Sequence, residues 1–191
     1  MKKLFLIMIG ISSILSVESM AQQQTQEENF KYILDEFADC KVMRYQLPDW
    51  DSLTLKQKQY IYCLSEATLW GRDIYFDQNY KHNLLIRKAL EYILNNYKGE
   101  KNTKEYKDFE VYAKRFFFSN GMHHHYGEKK FYPDCSKSYF SSLLDNYKDK
   151  EFILEQIYNE NIAPIRRDNS TDKDIVKTSA VNFYENISRQ E

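Results

Sequence analysis

Between Thr103 and Phe118, Phe109, Tyr112, Ala113, Phe116 and Phe117 recur at intervals of one, three and four residues. This period matches the turn of an α-helix, so the stretch is expected to be amphipathic with an aromatic stripe that must be covered. Burying the stripe requires other apolar helix faces, and the sequence supplies them. Leu85, Ala89, Leu90, Ile93 and Leu94 predict a helix over His82 to Tyr97, with Gly99 as its stop. Thr54 followed by Gln57 is a capping-box pattern, predicting a helix through Ile61, Leu64, Ala67 and Leu69 towards Gly71. Phe30, Ile33, Leu34, Phe37 and Ala38 fit a further amphipathic helix, and two more are expected over Ser138–Tyr147 and Glu151–Asn161, before Pro164. Phe131 to Cys135 and Ile175 to Phe183 are the candidates for short strands. Five Gly and three Pro leave little turn chemistry for a sandwich or barrel. The expected fold is mainly α, a helical bundle-like assembly with minor β.

The chain opens on Lys2 and Lys3, an apolar run from Leu4 to Val17, and small residues at Ser19 and Ala21. This is the pattern of a secretory signal peptide over residues 1–21, too short and too diluted by Ser12, Ser13 and Glu18 to serve as a membrane span. A polar linker at 22–29 and a helical region at 30–191 follow, in a protein expected to be exported and free of the membrane after cleavage. Twenty-seven basic against twenty-eight acidic residues give a net charge of −1. No basic excess exists to neutralise phosphates, which removes the case for nucleic acid as a partner. Three Cys cannot all pair with one another, and Cys63, among apolar helix residues, is expected to be buried and inert.

The candidate chemistry lies in the loop after the aromatic helix. In an extended strand His123 and His125 would share one face, with His124 on the other. The first pair could then hold a metal ion with Glu128, Asp134 or Cys135 nearby in sequence. No paired-Cys or helical His spacing accompanies them, so a solvated or cleft-lining histidine loop, offering pH-dependent hydrogen bonds, is the default. Asn120-Gly121 is a turn or helix-cap signal. Arg72 and Asp73 are expected to form a structural ion pair at a helix end, and Tyr75, Phe76 and Tyr80 read as core aromatics. Glycine-rich phosphate loops and nucleophile elbows are absent from the sequence.

Two long segments, Ser65-Glu66-Ala67-Thr68-Leu69-Trp70-Gly71-Arg72-Asp73-Ile74-Tyr75-Phe76-Asp77-Gln78-Asn79 and Val111 through Asn120-Gly121-Met122-His123-His124-His125-Tyr126-Gly127, resemble the amino-terminal region of the dipeptidyl peptidase III family in its secreted bacterial form. The resemblance extends from about Phe37 to Glu191. It implies a piece of the lower lobe of a two-lobed zinc peptidase that removes N-terminal dipeptides from short peptides. Family zinc ligands come from an H-E-x-x-G-H helix and an E-E-x-R-A-E segment, and this sequence contains neither. No His precedes a Glu, and Glu27-Glu28 continues as Asn29-Phe30-Lys31. The resemblance therefore implies an amino-terminal part, inactive alone, whose partners are short peptides or a catalytic lobe supplied elsewhere. Zinc is implied only for the complete family member. Ser188-Arg189-Gln190-Glu191, a second capping-box pattern, points to truncation in the same way. By segment matching, the lower lobe faces the cleft at this loop, so Asn120, His125 and Tyr126 are expected to contact peptide. The Tyr126 ring would pack on a substrate side chain, and Asn120 would hold backbone amides or shape the turn. The alternative expectation is a non-catalytic periplasmic module that binds peptides or a partner through the same loop.

Overall fold

A computed structural model describes residues 30–188 and 190. The expected signal peptide and linker, and Arg189 and Glu191 of the terminal capping pattern, lie outside the described residues. The fold is mainly α with one small two-stranded antiparallel sheet. The chain divides into two units at Pro48/Asp49.

The first unit corrects the expected helix over Phe30 to Ala38. Strand β1 (Ile33–Phe37) pairs antiparallel with β2 (Cys40–Met43), and Ala38, at a φ of 49°, turns the chain between them. The register sets Glu36 opposite Lys41, which form an ion pair of 2.8 Å, and Phe37 opposite Cys40, both buried. Beyond the strands Arg44 donates to the Lys31 carbonyl at 2.8 Å, and its guanidinium lies 4.3 Å from the centre of the Phe30 ring. The apolar spacing misled because its window covers barely two helical turns. Asp35 and Asp39 are weak helix formers, whereas cross-strand pairing satisfies the backbone, and Tyr32 and Arg44 pack on Phe30.

A 3₁₀ turn (Pro48–Ser52) at the boundary leads into the second unit and α1 (Leu55–Trp70), and the capping box at the start of α1 forms as expected. The Thr54 N–H donates to the Gln57 side chain at 2.9 Å, and the Gln57 N–H donates to the Thr54 hydroxyl at 3.4 Å. Nothing along α1 is buried. Its apolar residues lie on all sides, with Tyr60, Tyr62, Leu69 and Trp70 exposed, so Ile61, Leu64, Ala67 and Leu69 do not form one covered face. Cys63 is consequently exposed, which corrects its expected burial.

Gly71 breaks α1 from α2 (Arg72–Asn79), which leads into α3 (Asn83–Asn96). Arg72 and Asp73 do not pair, because neighbouring helical side chains diverge by about 100°. Asp73 instead accepts from Arg87 on α3 at 2.6 Å, and Arg87 also holds Glu91 and covers the Phe76 ring. Phe76 and Tyr80 are core residues as expected, but Tyr75 is exposed. Helix α3 stops at Tyr97, ahead of Gly99.

The aromatic stripe organises the rest. On α4 (Lys104–Ser119), Tyr106, Phe109, Tyr112, Ala113 and Phe116 are buried, and Phe117 is half-buried against the same core. Phe109 and Tyr112 meet Phe140 of α5 (Lys137–Leu143) edge to face, at ring separations of 5.4 and 6.1 Å. Ile153, Leu154 and Ile157 of α6 (Lys150–Tyr158) complete the cluster. Burial of each such side chain contributes about 1.5–3 kcal/mol, so the stripe is the main local source of stability. The expected strand at Phe131 to Cys135 does not form; isolated bridges lie just ahead of it, His123 with Lys130 and Lys129 with Ile165. The expected strand at Ile175 to Phe183 instead begins as a short helix, α7 (Ile175–Thr178), followed by an extended stretch bonded to Ile165 and Arg166.

Candidate functional site

The loop that leaves α4 is held by backbone geometry before any side chain takes part. Asn120 caps the helix in the left-handed region (φ 53°, ψ 45°), and its carbonyl accepts from the Asn79 amide at 3.0 Å. Its backbone therefore shapes the turn. Gly121 follows at a φ of 143°, where a Cβ would stand 2.2 Å from Nδ2 of the buried Asn83. Glycine is needed both for the dihedral and for the close approach.

His123 then points inward. It is 1% exposed, and its Nε2 lies 2.8 Å from the Ala163 carbonyl. A carbonyl only accepts, so Nε2 carries the proton and Nδ1 is left as a buried acceptor without a partner. Burial pushes the imidazole down to about 4, so it is neutral at ordinary pH.

His124 and His125 do not alternate faces. Their rings stack at 4.5 Å, because extended backbone ends at His123 and a turn begins at His125. The His124 Nδ1 accepts from the Tyr126 and Gly127 N–H groups at 3.2 and 2.8 Å, fastening the turn from within. His125 is half-buried between Phe118 at 5.1 Å and Tyr126 at 4.4 Å. Tyr126 itself is 85% exposed.

Three charged groups brace the loop from behind, and sequence reasoning missed all of them as a set. Arg166 donates to Glu128 at 2.7 and 2.9 Å and to the His125 carbonyl at 3.0 Å. Arg167 adds bonds of 2.8 and 3.2 Å to the same carboxylate. The Arg166 hydrogen bonds, ahead of those from Arg167, hold the Glu128 carboxyl down to about 2. Buried Lys130 donates to the Gln156, Asn159 and Ile162 carbonyls at 2.7, 2.7 and 3.1 Å, where α6 ends with unsatisfied carbonyls. Burial pushes that ammonium down to about 8. The one sequence-level trace of this brace is a pair of dibasic dipeptides, Lys129-Lys130 and Arg166-Arg167, separated by 35 residues of mixed character.

The residues present do not fit a zinc centre. His123 and His125 face different surroundings, Glu128 is committed to two arginines, and burial pushes the Cys135 thiol up to about 11. Asp134 is exposed. Among the described residues no three His, Cys, Asp or Glu side chains gather where they could hold a metal ion. What the arrangement offers is a hydrogen-bonded loop that exposes the Tyr126 ring, with Arg166 and Arg167 bonded to Glu128 of the same loop. No helix among the described residues is long and apolar enough to cross a membrane. No protein-family model matches the chain, and no curated protein matches it significantly.

Proposed function

We propose that this chain is the amino-terminal, lower-lobe part of an exported dipeptidyl-peptidase-III-like enzyme, contributing peptide contacts and leaving hydrolysis to zinc ligands it does not carry. The observation that carries the reading is Tyr126. It lies in one of the two segments that carry the resemblance, and it is displayed to solvent by a loop held through Asn120, Gly121, His124 and Arg166. A rigid exposed aromatic loses little conformational entropy when a ligand covers it. Uncovered α1 supports the same reading, since the exposed Tyr60, Tyr62, Leu69 and Trp70 along it are apolar surface that further protein would cover. The closed aromatic core around α4 favours the second reading, a peptide-binding module that folds and works by itself.

Titration of the purified chain with short unlabelled peptides, followed by calorimetry, tests the shared element of both readings. Tyr126→Ala is expected to weaken binding about tenfold, the loss of one exposed aromatic contact. Asn120→Gly, which keeps the left-handed turn, is expected to leave affinity within about twofold if Asn120 acts through its backbone. Peptide affinity unchanged in Tyr126→Ala, or no binding at millimolar peptide, would contradict the assignment of the loop.

A further inference from the structure

The brace behind Tyr126 is unbalanced in charge. Two guanidinium groups, Arg166 and Arg167, converge on the single carboxylate of Glu128. Arg166 is 9% exposed and is consumed by Glu128 and the His125 carbonyl. Arg167 is different. It engages Glu128 through Nε and Nη2, and its side chain is 49% exposed, which leaves the guanidinium partly open to solvent. Glu128 already accepts four bonds from the two arginines, so it has little capacity left to satisfy Arg167 further. One guanidinium with a planar donor edge is thus bonded to Glu128, which lies two residues along the loop from the exposed Tyr126. Glu128 is also held at a φ of 61°, a left-handed conformation uncommon for a residue with a side chain, and such strain persists where surrounding contacts enforce it.

An exposed aromatic ring and a half-exposed guanidinium fastened to the same loop through a Glu128 shared with Arg166 match one ligand chemistry, a carboxylate carried next to a large apolar side chain. We infer that the loop selects peptides by a carboxylate, received by Arg167, while Tyr126 covers the neighbouring side chain. This inference rests on the proposed peptide-contact role of the loop and specifies its substrate class. Guanidinium binds carboxylate by two parallel N–H···O bonds, a pairing that lysine does not reproduce. The carboxylate can be the peptide's own C-terminus or an acidic side chain, and the two sources are separable.

Three probes distinguish them: the tripeptide Ala-Ala-Phe as the free acid, its C-terminal amide, and Ala-Asp-Phe-amide. Affinities are measured for the unaltered chain and for Arg167→Gln, Arg167→Lys and Tyr126→Ala. Glu128 keeps Arg166 in the Arg167 variants, so the fold is expected to survive, and a melting curve verifies it. The free acid is expected to bind about tenfold tighter than the amide, with the ratio falling to about one in Arg167→Gln and to an intermediate value in Arg167→Lys. If Ala-Asp-Phe-amide recovers the advantage, the side-chain source is supported; if only the free acid has it, the terminal source is. Equal affinities for all three probes, each weakened by Tyr126→Ala, would overturn the carboxylate inference and leave the peptide-contact reading intact. Affinities indifferent to Tyr126→Ala would overturn both.

Discussion

Gly121→Ala is expected to cost about 4 kcal/mol of stability, combining about 1–3 kcal/mol of backbone strain with displacement of a buried amide. The added methyl would sit 2.2 Å from the Asn83 Nδ2 at a φ of 143°. Asn83 cannot yield cheaply. It is fully buried, and its Nδ2 donates to the Phe76 carbonyl at 3.0 Å, so moving it orphans a polar pair inside the protein. The variant should show a large fall in denaturation midpoint. In the Gly121→Ala/Asn83→Ala double variant the clash disappears, and the combined loss should be smaller than the sum of the two single losses by about 1–2 kcal/mol. A Gly121→Ala loss under about 1 kcal/mol would mean that the turn before the histidine loop is not enforced as described.

The second large effect is acid destabilisation through His123. Its folded form is neutral down to about pH 4, whereas the unfolded imidazole protonates near pH 6.5. Between those values the unfolded state binds the extra proton, so stability is complete above pH 6.5 and falls as pH drops towards 4. The loss is about 3 kcal/mol. Burial makes protonation harder, and Arg166 and Lys130 oppose a third cation; the hydrogen bond to the Ala163 carbonyl and the Glu128 charge pull the other way, and the Tyr80 ring meets the imidazole edge to face. Glu128 contributes in a different window. Its carboxyl is held down to about 2, so its stabilisation is present above its ordinary range near 4.5 and is lost below that. Burial, with Lys81, also pushes the His82 imidazole down, so between pH 6.5 and 4.5 the His123 share is the difference between denaturant titrations of the unaltered chain and of a His123 variant. His123→Gln, which can still donate to the Ala163 carbonyl, is expected to flatten the profile there; an unchanged slope would contradict a sealed neutral imidazole.

These two positions also mark how far sequence reasoning reached. The α4 stripe was legible because an aromatic every three or four residues over four turns leaves no competing period, and Thr54 was legible because a cap is a local contact. The hairpin at Ile33 to Met43 was not, since a few apolar residues fit either period and the decision lay in cross-strand bonds between residues up to 13 apart. Cys63 was misjudged because burial of a helix face depends on a neighbour, and α1 has none covering that face among the described residues. Asn120, His125 and Tyr126 do gather on one loop. The groups that brace it, Arg166, Arg167 and the carbonyls held by Lys130, lie 26 to 41 positions away and leave no periodic trace. The histidine triplet drew attention as a metal motif, yet the fold uses its members separately: His123 as a buried donor, His124 as a turn clasp, and His125 as an aromatic spacer.

The central claim, a peptide-contacting part without its own hydrolytic centre, is tested most directly by incubating the purified chain with a chromogenic dipeptidyl substrate and added zinc. The account predicts no turnover above buffer and no zinc retained in stoichiometric amount after dialysis. Turnover that copurifies with the chain, and that disappears with bound zinc in His123→Ala and His125→Ala, would contradict it.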